Sequence, residues 1–98
     1  MTEQEQFEKI KIDGKWIKNV QNPSEKLQYA SVADHPSNIK FIKEPTEAVQ
    51  MLAVCINPWS LQYIRNPTDY VIQEAARRDR DVLRLIPEGK IPLTARFF

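Results

Sequence analysis

The chain has 98 residues, of which 42% are hydrophobic and 28% are charged, and its formal net charge is +1. These values are typical of one folded domain, and they exclude an intrinsically disordered chain. A single cysteine, Cys55, excludes an internal disulfide, and no apolar run is long enough to span a membrane. The charge is also balanced from segment to segment, which argues against nucleic acid and anionic membranes as partners.

A repeat of 22 residues organises the chain. Pro23, Pro45 and Pro67 are spaced by 22 residues, as are Pro36 and Pro58. Pro23, Pro45 and Pro67 are each followed by a hydroxyl residue and then an acid, and the same pair occurs near the N-terminus as Thr2-Glu3. The spacing predicts four units followed by a tail, with the boundaries 1–22, 23–44, 45–66, 67–88 and 89–98.

Each unit is predicted to hold two short helical elements. A Ser or Thr followed by an acid, directly after proline, starts a helix because its hydroxyl caps a free N–H and proline prevents extension backward. In the third unit Val49, Ala53 and Val54 share one face of a helix of about nine residues. A turn former followed by proline or glycine ends this helix. Core residues three apart, Leu61 and Ile64, then favour a shorter α or 3₁₀ helix.

Aliphatic residues recur at equivalent positions, or columns, of successive units. In the first element they are Ile10, Val32, Val54 and Ala76, and in the second they are Ile17, Ile39, Leu61 and Leu83. Helices this short are not stable alone in water, so each unit needs its neighbours. We therefore predict an all-α fold, an α-solenoid of four repeats with a C-terminal capping tail. Gln6, Gln28 and Gln50 recur beside the core, and we expect their amides to bind loop carbonyls between units.

The segments 22–28, 45–50 and 66–71 resemble repeats of bacterial and bacteriophage proteins that are known only as domains of unknown function. The alternation of a short α-helix with a shorter element is similar to the leucine-rich variant repeat, a HEAT-like superhelix. The resemblance covers residues 1–88 and implies the α-solenoid fold. A lone cysteine and an N-terminus that lacks the segments of a signal peptide predict a cytoplasmic protein, of a bacterial cell or an infected host cell.

The residue types do not predict an enzyme. His35 is the one histidine, and it lies in a turn column with no recognisable partner for acid–base chemistry. Gly14 and Gly89 are the two glycines, which excludes a glycine-rich phosphate loop. Some leucine-rich variant proteins hold an iron–sulfur cluster, but Cys55 alone cannot supply its ligands. We predict no catalytic residue, no metal and no cofactor.

Aromatic residues are the main predicted partner-binding residues. Phe41 and Tyr63 share a column with Asn19, so the column need not be buried. This ladder is either a recognition strip or the seam between units. Trp16 and Trp59 lie in columns that hold polar residues elsewhere, so we expect at least one of them to be exposed.

The leading hypothesis is a non-enzymatic protein-binding module, a phage or mobile-element protein that binds and modulates a host protein. In the tail, Arg96, Phe97 and Phe98 either cap the last unit or dock into that partner. One alternative is nucleic-acid binding, for which the candidates are Arg77, Arg78, Arg80 and Arg84; interleaved acids weaken their field. The other is self-assembly, in which solenoid ends or the tail form a homodimer.

Overall fold

The computed structural model describes residues 1–95, which form helices and no strand. Four α-helices alternate with four 3₁₀ helices, and two shorter 3₁₀ helices follow. The α-helices are α1 Glu3–Ile12, α2 Glu25–Asp34, α3 Glu47–Ile56 and α4 Asp69–Arg78. The 3₁₀ helices are η1 Gly14–Asn19, η2 Pro36–Phe41, η3 Pro58–Tyr63, η4 Arg80–Leu85, η5 Glu88–Lys90 and η6 Leu93–Ala95.

Each α-helix starts 22 residues after the previous one, and each unit packs against the next. This confirms the predicted α-solenoid, whose described part measures 46 × 19 × 16 Å.

The α-helices start with the predicted capping chemistry. Thr2, Ser24, Thr46 and Thr68 each accept a hydrogen bond from the backbone N–H three residues further on, at 3.2 to 3.4 Å. At Thr2 the cap is reciprocal, because Glu5 Oε1 accepts from the Thr2 N–H at 3.1 Å. This bond lowers the pKa of the Glu5 carboxyl, since it stabilises the charged form.

The core is a ridge of aliphatic side chains shared by the α-helices and the 3₁₀ helices. The buried members of the predicted columns are Ile10, Val32, Val54, Ala76, Ile17, Ile39 and Leu61. Leu83 is the exception in the second column: it is only half-buried, because the repeat array ends at this unit. Val82 beside it is fully buried, in the column that Asn38 and Ser60 occupy in earlier units.

Buried glutamines join successive units. Gln28 Nε2 donates to the Pro23 carbonyl at 3.0 Å, and Gln28 Oε1 accepts from the Thr46 N–H at 3.1 Å. Gln50 makes the same two bonds one unit later, at 3.1 and 3.2 Å. The expected bonds to loop carbonyls are therefore confirmed for these two residues. Each glutamine also reaches the helix start of the following unit.

The C-terminal segment folds back as the predicted cap. Ala95 in η6 is fully buried, and η6 contacts α4. Ile91 also packs against the core. Three predicted partner-binding residues, Arg96, Phe97 and Phe98, lie outside the described residues.

Candidate functional site

The outer side of the 3₁₀ helices carries basic side chains. Residues three apart in a 3₁₀ helix point the same way, so the second and fifth residues of each helix share one side. The residue two beyond the helix continues the three-residue spacing, and at all four helices it is exposed. We name the six cations at these positions the basic ridge: Lys15, Lys18, Lys40, Lys43, Arg65 and Arg84. All six are exposed, and Asp81 is the one acid at these positions.

Charge is divided between the two kinds of helix. Helices α1–α4 hold five basic and eight acidic residues, a net charge of −3. Helices η1–η4 hold five basic residues and one acidic residue, a net charge of +4. The balance along the sequence hides this division, because the excess of acids falls in the α-helices and the excess of cations in the 3₁₀ helices.

A row of larger side chains runs beside the basic ridge. It consists of Phe41, Tyr63 and Leu85, the last residues of η2, η3 and η4, and we name it the apolar row. Phe41 is half-buried, whereas Tyr63 and Leu85 are each 36% exposed. Lys40 Nζ lies 5.3 Å from the centroid of the Phe41 ring and 5.4 Å from that of Tyr63, within the range of a cation–π attraction. The structure therefore brings the two aromatic candidates together, with Lys40 between them.

Two open grooves lie along the loops that lead from a 3₁₀ helix to the next α-helix. The first, of about 670 Å³, is lined by residues 20–23 and 41–44 and by Gln28. The second, of about 630 Å³, has walls that include residues 64–67, Leu85 and residues 89–92. Each groove contains one residue of the apolar row and one cation of the basic ridge.

The two tryptophans are both half-buried and pack against the core. Trp59 Nε1 donates to Asp79 Oδ2 at 2.9 Å, which ties η3 to the start of η4. Lys9 Nζ lies 5.9 Å from the centroid of the Trp16 ring. The expectation that at least one tryptophan is exposed was therefore wrong, because both rings pack against the core of the units.

The four arginine candidates are divided between two elements. Arg77 and Arg78 end α4, and Arg77 forms an ion pair with Glu74 at 2.7 Å. Arg80 and Arg84 belong to η4, and of the four only Arg84 is part of the basic ridge. The arginines therefore do not form one surface of their own.

Helix α3 has a second apolar stripe that the sequence analysis missed. Its buried side consists of Val49, Gln50, Ala53 and Val54. Its opposite side consists of Ala48, Met51, Leu52 and Cys55, of which the first and last are exposed and the other two half-buried. Both stripes have helical spacing, so the sequence contains the signal. Only the three-dimensional structure shows which of the two stripes is buried in the core.

The remaining candidates are His35 and Cys55. His35 is exposed in the turn after α2, as its column predicts, and Cys55 is exposed. Within residues 1–95, His, Cys, Asp and Glu side chains form no group of three or more that could hold a metal ion. The helices of this range are all too short or too polar to cross a bilayer. Comparison with known proteins gave no match to the chain among protein-family models, curated proteins or solved structures.

Proposed function

We propose that this chain is a non-enzymatic protein-binding module that recognises an acidic segment of a partner protein through the basic ridge and the apolar row. The observation that carries the proposal is the charge of the ridge, with six exposed cations and one acid along the outer side of η1–η4 and of the loops that follow η2 and η3. Partner carboxylates would form ion pairs with these cations, and the positive electrostatic potential of the ridge would raise the association rate. The apolar row would take an apolar side chain of the same segment.

An extended segment fits the dimensions of the ridge. The described array is 46 Å long, and an extended chain covers about 3.3 Å per residue. Successive units are therefore about 10 Å apart, which corresponds to about three extended residues. A segment of about 12 residues in the extended polyproline II conformation, which has about three residues per turn, would present an acid at every third position to the four units in turn.

Lys40 lies at the centre of this interaction. Its ammonium group is already held near the rings of Phe41 and Tyr63. It therefore loses less side-chain freedom on binding than a fully solvated lysine would. A partner carboxylate would bind Lys40 while a neighbouring apolar side chain packs on the exposed part of Tyr63.

Nucleic acid is the second candidate, because a basic ridge beside aromatic rings also suits a single strand. Two observations favour protein. Phe41 is half-buried under Lys40, so its ring offers little free face for a base. The chain as a whole carries only +1, and α1–α4 are acidic, so a long polyanion would be repelled outside the ridge.

Fluorescence anisotropy with a labelled acidic peptide tests the proposal. The peptide has an acid at every third position and one central leucine. The variant K40Q/K43Q takes the residues that the repeat itself has in these columns, Gln62 and Gln21. We expect it to weaken peptide binding about tenfold at low ionic strength, because two central cations are lost.

The control K11A/K26A removes the same charge from the α-helices, where Ala33 and Ala48 occupy the same columns. It should bind the peptide as the wild type does. Equal weakening by both variants would mean that only net charge matters, and would contradict the proposal. Tighter binding of a labelled single-stranded DNA than of the peptide would replace it with the nucleic-acid alternative.

In this proposal the chain is a phage or mobile-element protein that acts in a bacterial cytoplasm and modulates a host protein. This part rests on the resemblance of the repeats to bacterial and bacteriophage domains. Affinity capture from a bacterial extract, followed by mass spectrometry, tests it. A protein with acidic segments that is retained by the wild type and by K11A/K26A, but not by K40Q/K43Q, would support it.

A further inference from the structure

The second groove is more apolar than the first, although the two lie at equivalent places of the repeat. The positions that line the first groove recur two units later, and all but the last of them also line the second groove. Between the two grooves, Gln28 is replaced by Ile72 and Phe41 by Leu85. Residues 89–92 add a further wall to the second groove. Its most buried lining residues are aliphatic: Leu61, Ile64 and Ile72.

Ile72 also ends the series of glutamine bridges. Gln28 and Gln50 each donate to the carbonyl of the proline five residues earlier. Ile72 occupies the same column but has no donor, and among residues 1–95 no group donates to the corresponding Pro67 carbonyl. Because Pro67 lines the second groove, this carbonyl is available to accept a hydrogen bond from a bound molecule.

The second groove is continuous with both surfaces of the proposed binding site. Its lining includes Leu85, the last residue of the apolar row, and Arg65, a member of the basic ridge. Lys90 adds a second exposed cation, whereas Asp69 is the one acid among the described lining residues. An apolar groove with an excess of positive charge at its edge suits an apolar side chain that has a carboxylate next to it in the sequence.

We propose that the second groove binds an apolar side chain of the acidic segment, three residues along from the one that packs on Tyr63. This inference rests on the proposed function and adds a spacing to it. In the polyproline II conformation, residues three apart lie on one side of the chain, about 9 Å from each other. Tyr63 and Leu85 are one unit apart, which is about 10 Å. The partner would therefore carry two apolar residues with two residues between them, and a backbone N–H of the segment would donate to the Pro67 carbonyl.

The other direction along the apolar row offers less to an apolar side chain. The same spacing leads there from Tyr63 to Phe41, which is half-buried and has Lys40 beside its ring. The first groove, next to Phe41, is lined by the opposite charges of Lys43 and Glu44. Recognition of the second apolar residue therefore belongs to the C-terminal end of the array.

Fluorescence anisotropy with three labelled peptides of equal charge tests the spacing. All three have an acid at every third position and a central leucine. The first has serine three residues before and three residues after this leucine. The second has leucine at both places, so that either chain direction can bring one of them to the groove. In the third peptide each added leucine is moved by one position, while the acids stay in place. The full chain should bind the second peptide about fivefold more tightly than the first, and the third within about twofold of the first.

Two variants assign this gain to the second groove. Ile72→Gln introduces the residue of Gln28 and Gln50, whose amide should bond to the Pro67 carbonyl and place a polar group among the aliphatic side chains. Leu85→Asn introduces the residue of Asn19 at an exposed position, where folding should not depend on it. In each variant the second peptide should bind at most about twofold more tightly than the first. The control K11A/K26A should keep the fivefold gain.

The outcomes separate this inference from the proposed function. Weaker binding of every peptide by K40Q/K43Q, with no gain from the added leucines, would overturn the inference and leave the proposed function standing. A gain that the third peptide shares, or that both groove variants keep, would also overturn it. A gain that appears only after Phe97 and Phe98 are changed to serine would assign the groove to the last residues of the chain itself and overturn the inference. Failure of the full chain to bind any of the peptides would overturn the proposed function as well.

Discussion

The interior of the repeat and its outer surfaces differ in how much they change from one unit to the next. An interior column holds Ile10, Val32, Val54 and Ala76. An outer column holds Glu8, Ala30, Leu52 and Glu74. The uniform interior gives every unit the same neighbour contacts, so stability is spread over units and the interfaces between them. The outer columns are free of this requirement, and their differences create the basic ridge on one side and the second apolar stripe of α3 on the other.

The largest loss of stability should come from changing an interior residue that has a neighbouring unit on both sides. Leu61 is 2% exposed, whereas Leu83, in the same column of the last unit, is half-buried. We expect Leu61→Ala to lower the free energy of unfolding by about 3 kcal/mol and Leu83→Ala by about 1 kcal/mol. Urea denaturation measures both. Equal losses would contradict the account of a core shared between adjacent units.

Substitution of Gly14 should lower stability nearly as much, because Gly14 occupies a crowded position. The same column holds Pro36, Pro58 and Arg80 in the later units. Its N–H donates to Asp34 Oδ2 at 3.0 Å, and an added Cβ would lie 2.5 Å from Asn38 Nδ2. Gly14→Ala should therefore cost about 2 kcal/mol through overpacking. Gly89 has no atom within 4 Å of such a Cβ. In urea denaturation Gly89→Ala should leave the midpoint within error of wild type, and a matching loss there would refute the steric argument.

A smaller loss of stability is expected when Gln50, the glutamine that joins the third unit to the fourth, is replaced. Gln50→Ala removes the partner of the Pro45 carbonyl and of the Thr68 N–H, at a cost of about 1.5 kcal/mol. Hydrogen exchange should also become faster at the Thr68 amide. Gln6 is the matched control, since in the described residues it does not form this bridge to the next unit. Thr68 exchange that is unchanged in Gln50→Ala would show that the bridge does not hold the unit boundary.

The architecture follows from the sequence because its signals are local and periodic. A Ser or Thr followed by an acid fixes the start of every α-helix, with a proline before the pair in α2–α4, and the aliphatic columns fix the core. The bond from Trp59 to Asp79 could not be predicted, because it joins residues 20 positions apart. The basic ridge could not be predicted from the net charge of each segment. It becomes visible only when residues three apart are placed on one side of a 3₁₀ helix. The two stripes of α3 have the same spacing, so only stacking decides which is buried.

We propose that binding specificity lies on the outer side of the 3₁₀ helices, while the interior of the repeat stays the same from unit to unit. A nuclear magnetic resonance titration of the ¹⁵N-labelled chain with the acidic peptide tests it most directly. We expect the backbone amide shifts to change in η1–η4 and in the loops that follow them, with the largest changes around Lys40 and Tyr63. Shift changes concentrated in α1–α4 would contradict the claim.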